Sequence, residues 1–238
     1  MKLQKRIDRS SRERQKLVLA ALLLLIVLLT MTRVLSYFHS EDTATNRMEG
    51  KNGSVAIHEP AWDAEGQKMA RASEPGMEIP KNPYGLNDSE INLYIRLRMT
   101  VENGAFVSKN SDYDAQFHYD DAEREAAVLK AVKLADGTAL LNADRTETNN
   151  TAFYMETVTE NGRTVYDFYY TAGGENLASV APDGTTAELF HSLLIPYYKS
   201  EYFGVFDQPY TIQVVAEGIP VSQFPDGVKA ADAAAAFA

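Results

Sequence analysis

The sequence predicts a mainly β protein: an antiparallel β-sandwich with one inserted helix, preceded by an N-terminal signal or transmembrane helix. Residues 90–102 alternate between apolar and polar side chains, the pattern of a strand with one face on a core and the other in water. Residues 152–171 form two aromatic, β-branched runs around Asn161-Gly162, which is a strong hairpin signal. Residues 17–32 carry no charge and follow a basic region, as expected for an export segment.

The N-terminal segment, residues 1–36, is predicted to be a signal peptide or a membrane anchor. Its hydrophobic stretch, residues 17–32, has 16 residues, whereas a helix that spans a membrane needs about 20. The basic residues before it keep the N-terminus in the cytoplasm and send the body outside. The small-x-small pattern that ends at Ser36 predicts signal-peptidase cleavage between Ser36 and Tyr37. The alternative is an uncleaved anchor through residues 17–32, and either outcome predicts a secreted or cell-surface protein.

Charge separates this segment from the body of the chain. The protein has 23 basic and 33 acidic side chains, and residues 1–36 hold eight of the basic and two of the acidic ones. The remaining 15 basic and 31 acidic side chains give the body a net charge of −16. Such a body lacks the basic patch of a nucleic-acid-binding protein. The absence of cysteine from the sequence excludes disulfides, thiol nucleophiles and Cys-ligated metals.

The body is predicted to contain an extended polar segment, residues 37–53, and a single domain, residues 54–238. About 100–200 residues is the usual size of one domain. Alternation over residues 54–59 predicts a first strand. Four prolines and several glycines predict mostly loops and turns over residues 60–89.

The long strand is predicted to have two different faces. Its apolar positions are expected to pack on the core: Ile91, Leu93, Ile95, Leu97, Met99 and Val101. Its polar positions are expected to meet water: Glu90, Asn92, Tyr94, Arg96, Arg98, Thr100 and Glu102. Clean alternation of this kind is typical of antiparallel sheets rather than of parallel sheets that are buried on both sides.

The same signals predict the elements that follow. An acidic first turn and apolar residues at helical spacing predict one helix over residues 120–135. Residues 189–195 and 210–217 predict further strands, and the alanine-rich tail, residues 228–238, predicts a short terminal helix. Short strands with turns between them and one inserted helix are typical of a β-sandwich.

The sequence offers no candidate catalytic, cofactor-binding or metal-binding residue. Its four histidines do not form the HExxH pair of a zinc protease, and it has no phosphate-binding loop. His118 has neighbours that are able to bind a cation, although a solvated acidic loop is the favoured interpretation: Asp112, Asp114, Asp120 and Asp121. The tyrosines of the hairpin predict either a ligand-stacking surface or, as favoured, strand positions with buried rings: Tyr154, Tyr166, Tyr169 and Tyr170.

Three stretches of the body resemble one known family. The first, residues 37–46, is similar to the YFTDTDTATN start of mature proteins that a SipW-type signal peptidase releases. The second begins with residues 59–63 and continues over residues 75–83, which are similar to the family's PG-x-x-x-x-K-x-P block. Tyr94 and Arg96 then occupy the two positions of its Y-x-R motif.

The third stretch completes the resemblance to the TasA/camelysin-like group of exported Gram-positive proteins. It begins at Tyr169-Tyr170, continues through Ala181-Pro182-Asp183-Gly184 and ends at Ala216-Glu217, similar to the family's YY, L-x-P-G and A-E elements. The resemblance implies a jelly-roll β-sandwich and assembly into extracellular fibres of the biofilm matrix. The implied partners are other copies, related matrix proteins and the SipW-type signal peptidase. The family's A-V-Q-A ending is replaced by Gly218-Ile219-Pro220-Val221.

Three hypotheses follow for the function. The first is a non-enzymatic structural protein that assembles into fibres when its N-terminal segment, residues 37–53, adds as a strand to another subunit. The second is a metallopeptidase, an older label that the family carries. The third is a membrane-tethered β-sandwich that binds a ligand or partner without polymerising. The first agrees best with the absence of a metal-ligand cluster from the sequence pattern.

Overall fold

The computed structural model describes residues 54–72, 74–103, 121–195 and 210–238. This part of the chain is mainly β with antiparallel sheets, which confirms the predicted β-rich fold. The export segment, the cleavage site between Ser36 and Tyr37, and the segment over residues 37–53 lie outside the described residues, as does His118. No helix within the described ranges is long and apolar enough to cross a membrane.

The described elements alternate short strands with a few helical turns. In chain order they are β1 (Val55–His58), a π-helical turn (Trp62–Gly66), α1 (Gln67–Ala70), β2 (Glu78–Pro80), β3 (Tyr84–Asn87), β4 (Leu93–Asn103), α2 (Asp121–Ala131), β5 (Val132–Lys133), β6 (Phe153–Glu160), β7 (Arg163–Tyr170), β8 (Ser192–Leu194), β9 (Tyr210–Pro220), two 3₁₀ turns (Val221–Gln223 and Ala230–Asp232) and α3 (Ala233–Ala236).

These strands form three antiparallel sheets. The largest has the order β6–β7–β4–β9, the second has the order β2–β8–β5, and β1 pairs with β3. In the largest sheet the register places Arg96 of β4 opposite Tyr169 of β7 and Glu217 of β9. The next row on the same face contains Arg98 opposite Asp167. Charged side chains of three strands therefore lie in adjacent rows of one face.

One hydrophobic core contacts all three sheets and α2. The alternating strand contributes buried side chains, as predicted: Leu93, Ile95, Leu97, Met99 and Val101. Phe168 of β7, Val128 of α2 and Phe190 join the same cluster. We call the side of the four-stranded sheet that bears these residues the core face, and the opposite side the outer face.

Two local predictions are confirmed within the described residues. The hairpin β6–β7 turns at Asn161 and Gly162, whose φ angles of 52° and 79° are those of the type I′ turn that Asn-Gly favours. The predicted helix is α2, and its apolar residues Val128 and Leu129 pack in the core. The tail contains a 3₁₀ turn followed by the short helix α3.

The prediction of loops and turns over residues 60–89 is wrong for much of that segment. It contains the π-helical turn, α1, β2 and β3. Buried Trp62 holds the π-helical turn on the core, a tertiary contact that outweighs the local proline and glycine signals. Pro80 is compatible with β2 because β2 lies at the edge of its sheet, where a strand residue does not need its backbone N–H.

The expectation that the polar side of β4 meets water is wrong for half of that strand. Tyr94 is 5 % exposed and Arg96 only 9 % exposed. The C-terminal residues after β9 cover them, because Phe237 and Ala233 pack in a second apolar cluster with Tyr94. Strand β9 is also longer than predicted, and β8 is shorter.

Candidate functional site

A network of ion pairs lies on the outer face of the four-stranded sheet. Arg96 donates from Nε to Oε2 of Glu217 at 3.0 Å, and its Nη1 lies 3.4 Å from Oδ2 of Asp167. Arg98 donates from Nε to Oδ1 of Asp167 at 2.8 Å. Its Nη2 lies 2.5 Å from Oε1 of Glu160. The network therefore links β9, β4, β7 and β6 across the whole width of the sheet.

The strand register is what places these charges together. Residues opposite one another on neighbouring strands point to the same face and approach within about 5 Å between Cβ atoms. Arg96 and Glu217 are opposite, and so are Arg98 and Asp167. The two arginines are two residues apart on β4, so both lie on the outer face. The pairing stabilises one register of β4 against both neighbours.

The centre of the network is buried. Asp167 is 1 % exposed, so its charge depends on the two guanidinium groups for compensation. Burial alone lowers the pKa of Arg96, but the hydrogen bond and attraction of Glu217 outweigh it and leave this pKa raised. The pKa of Arg98 is raised for the same reason, with Asp167 and Glu160 as partners. Both arginines are therefore fixed cations.

An apolar cover lies over the Arg96 end of the network. The guanidinium carbon of Arg96 lies 4.8 Å from the ring centre of Phe237 and 5.8 Å from that of Tyr169. Tyr169 in turn packs against Phe237, with ring centres 5.6 Å apart. Aromatic faces attract a guanidinium group and exclude water from it. Phe237, near the C-terminus, thus covers the Arg96 end of the outer face.

The β6 half of the outer face is more open and is acidic. Glu160 has a side chain that is 49 % exposed, and Glu156 accepts a hydrogen bond from the Tyr154 hydroxyl at 3.2 Å. Arg163, near the turn, pairs with Glu102. Glu156 and Glu160 are both β6 side chains that point to this face.

A second buried ion pair lies at the π-helical turn. Lys81 donates from Nζ to Oε2 of Glu59 at 2.7 Å, and both side chains are buried. The same Nζ lies 4.6 Å from the ring centre of Trp62. Glu59 precedes the turn and Lys81 follows β2, so the pair joins the two ends of this irregular segment. Because both side chains are buried, each charge compensates the other in a medium that solvates charge poorly.

These two ion pairs consist of residues from the motifs that carry the family resemblance. Arg96 is the last residue of the Y-x-R motif and Glu217 the last of the A-E element, and the fold brings them into contact. Glu59 and Lys81 lie in the two parts of the second stretch. Sequence reasoning did not single out these pairs, since they are separated by 121 and 22 positions. The strict alternation of β4 was the signal that both arginines share a face.

The four tyrosines of the hairpin do not form one ligand-stacking surface. Tyr154 and Tyr169 lie in the same row of the outer face, whereas buried Tyr166 belongs to the core. The Tyr166 hydroxyl donates to Oε1 of Glu125 in α2 at 2.6 Å. Burial, together with the charge of Glu125, raises the pKa of Tyr166 well above its ordinary value. Tyr154 and Tyr169 thus pack side by side on β6 and β7, and Tyr166 links β7 to α2.

The part of the chain that the structure describes contains no assembled metal site. No group of three or more His, Asp or Glu side chains converges there as metal ligands would. His191 contacts Glu188, with Nδ1 3.1 Å from its Oε1, and His58 stacks on Tyr84. The other two histidines, His39 and His118, and the acids around His118 lie outside these residues, apart from the backbone of Asp121.

Comparison with known proteins identifies no relative: no family model, no curated protein and no solved structure matches this chain. The geometry is therefore the basis for a function. The described ion pairs join neighbouring strands of the largest sheet and the two ends of the segment around Trp62.

Proposed function

We propose that this chain is an exported, non-enzymatic structural protein of the cell surface or extracellular matrix. In this proposal its subunits assemble into fibres when the N-terminal segment of one subunit, residues 37–53, adds as a strand to another subunit. The TasA/camelysin-like resemblance of its motifs supports the same assignment. Related matrix proteins are proposed as further partners.

The observation that carries the proposal is the pairing of the largest sheet. Its outermost strands are β6 and β9, and within the described ranges each forms ladder pairs on one side only. The two strands have eight and 11 residues. An unpaired edge presents a row of backbone donors and acceptors to any extended chain. Strand addition between subunits uses those groups, and contacts between unlike surfaces propagate into filaments.

The finer architecture belongs to the same proposal. We infer a jelly-roll-like β-sandwich in which the β2–β8–β5 sheet faces the four-stranded sheet. Supporting this, Ile79 of β2 and Leu193 of β8 join Leu97 and Phe168 in one core. A core of this kind has to stabilise the body without disulfides, because the chain has no cysteine.

Export and processing complete the proposal. Residues 1–36 direct the body across the membrane, and a SipW-type signal peptidase cleaves between Ser36 and Tyr37. Cleavage would free residues 37–53 for strand addition only after export. Fibre formation is then confined to the outside of the cell.

The test is to express the full chain with a SipW-type signal peptidase, determine the N-terminus of the exported protein and image it by electron microscopy. We expect Tyr37 as the first residue and fibres of the purified protein. A variant that lacks residues 37–50 should be exported and folded but should not form fibres. Fibres from that variant would refute strand addition, and retention of residues 1–36 would favour the membrane-tethered binding module.

A further inference from the structure

We propose that a cavity beside α3 and the 3₁₀ turn Ala230–Asp232 binds a neutral oligosaccharide. The cavity has a volume of about 650 Å³, within the range of about 300–1,000 Å³ that is usual for small-molecule sites. The residues that give it its chemical character are Asn176, Phe224, Asp226, Lys229, Asp232 and Ala236. This inference goes beyond the proposed function, because fibre assembly does not require a sugar site.

Backbone pairing places two of the polar side chains next to each other. Asn176 and Lys229 form an antiparallel bridge, and the backbone hydrogen bonds run between the residues that flank this pair. In such a non-hydrogen-bonded pair, the two side chains lie on one face and approach most closely. An amide group and an ammonium group therefore stand side by side at the cavity.

Two carboxylates line the same cavity from fixed backbone positions. Asp226 lies in a turn that is closed by a hydrogen bond from the Gly227 amide to the Phe224 carbonyl. Pro225 and Gly227 occupy the positions at which such a turn favours proline and glycine. Asp232 precedes α3, but its side chain forms no capping hydrogen bond with that helix. Both carboxylates are thus positioned by the backbone, without the need for a ligand to order them.

One side of the cavity is apolar. Phe224 packs against Tyr94, with ring centres 6.3 Å apart, and it is partly exposed where it lines the cavity. Val228, Ala235 and Ala236 extend this apolar surface. The face of an aromatic ring is electron-rich and attracts polarised C–H groups. A pyranose ring presents C–H groups of this kind on its faces.

The balance of donors and acceptors indicates a neutral sugar. Carboxylates accept hydrogen bonds, an ammonium group donates them, and a side-chain amide does both. Each sugar hydroxyl also donates and accepts, so vicinal hydroxyls engage a carboxylate together with the neighbouring ammonium or amide group. An anionic ligand would be repelled by Asp226 and Asp232, and a polycation would be repelled by Lys229.

The exposure of the polar lining favours part of a sugar chain over an enclosed small molecule. Asn176, Asp226, Lys229 and Asp232 are all exposed to solvent. A sugar unit is therefore able to enter the cavity while its neighbours in the chain remain in water. This is the arrangement that a segment of a longer neutral polysaccharide requires.

The first test measures the binding of defined oligomers to the full chain by isothermal titration calorimetry, in a detergent without a sugar headgroup. Cellohexaose, maltohexaose and laminarihexaose are the neutral probes, and hexagalacturonic acid and hexalysine are the anionic and cationic ones. We expect at least one neutral probe to bind, and both charged probes to bind about tenfold more weakly or worse. Binding of no neutral probe, or tighter binding of a charged one, would overturn the proposal.

The second test locates the bound sugar with variants. D226A/D232A and F224L should each weaken the binding about tenfold or more, because the first removes two acceptors and the second removes the aromatic face. D144A/E147A is the matched control, since it removes two exposed carboxylates that do not line the cavity, and it should leave the affinity unchanged.

Circular dichroism and urea unfolding establish that each variant is folded. Leucine retains an apolar side chain beside Tyr94, and Asp226 and Asp232 are exposed, so D226A/D232A tests the site even where F224L does not fold. Unchanged affinity in folded D226A/D232A would show that the sugar binds elsewhere and would refute the assignment of this cavity. An equal loss of affinity in D144A/E147A would refute it as well.

Discussion

The buried network predicts that Arg96→Met destabilises the protein far more than the loss of an exposed arginine on the same sheet. Methionine retains much of the apolar stem of Arg96, but it removes the guanidinium group that lies beside the Tyr169 and Phe237 rings and so leaves Glu217 without its closest cation. Removing one partner of a buried ion pair strands a charge in a medium that solvates it poorly. Most of the cost is thus the desolvation of the remaining charge, with a smaller part from the lost contacts of the guanidinium group with the two rings.

The structure sets the size of this effect. Breaking a fully buried pair costs about 3–5 kcal/mol. Here Arg98 remains 2.8 Å from Asp167 and 3.9 Å from Glu217, and the Glu217 side chain is 11 % exposed, which softens the loss. We therefore expect the free energy of unfolding to fall by about 2–4 kcal/mol, a decrease in Tm of roughly 4–16 °C for a chain of this size.

Arg163→Met is the matched control. Arg163 also pairs with a carboxylate, that of Glu102, but the two side chains are 63 % and 43 % exposed. Exposed pairs contribute less than about 1 kcal/mol. Urea unfolding followed by circular dichroism at neutral pH measures both variants. The double variant R96M/E217Q should recover more than half of the loss, since it removes the stranded charge. Equal losses for R96M and R163M, or no recovery, would show that the network is not what stabilises the sheet.

Three further predictions concern other contacts of the fold. Lys81→Met should lower the free energy of unfolding by about 3 kcal/mol, because it removes the ammonium group that lies 2.7 Å from the buried Glu59 carboxylate. K81M/E59Q should recover most of that loss in the same urea assay, and a double variant as unstable as K81M would contradict the importance of this ion pair. Gly218→Ala places a Cβ 2.4 Å from Cγ2 of Val55, so it should lower the free energy of unfolding by about 1–3 kcal/mol. The decrease should be much smaller in a V55A background, and equal decreases in both backgrounds would show that the two residues do not interact. The raised pKa of Tyr166 means that the folded state keeps a proton that the unfolded state loses near pH 10, so this stability is complete below about pH 10 and decreases as the pH rises above it. Tyr166→Phe should make the free energy of unfolding less dependent on pH above about pH 10. An unchanged slope of this free energy against pH would show that the Tyr166 hydroxyl does not contribute to it.

Local patterns were sufficient to predict the elements that depend on near neighbours. Asn161-Gly162 defined the hairpin because positive φ at both positions suits these two residues. The alternation of β4 identified the core face correctly. The Trp62 turn could not be predicted, because it forms only when the indole ring finds the core that distant strands provide. Local proline and glycine signals do not contain that information.

The outer-face network could not be predicted from local patterns, because it depends on the register between neighbouring strands and local patterns do not determine that register. A single residue slip of β9 against β4 would move Glu217 to the other face, so the contact between Arg96 and Glu217 depends on all 11 pairs of that ladder. The cover by Phe237 is likewise a contact between the end of the chain and the middle of β4. The alternation of β4 predicted which face bears the arginines, and the tertiary fold determines how much of that face is shielded from water.

One ion-pair network extends over both the covered half and the open half of the outer face. The arginines of β4 lie at the centre of the sheet, where they compensate Asp167 and Glu217 under the aromatic cover. The same network reaches Glu160 on β6, the strand farthest from β9 among the described strands of this sheet, through Arg98. The Glu160 side chain is 49 % exposed, whereas Asp167 is 1 % exposed. Because desolvation makes a buried ion pair more sensitive to loss of a partner than an exposed one, substitutions at the covered end of the network should cost more stability than substitutions at its β6 end.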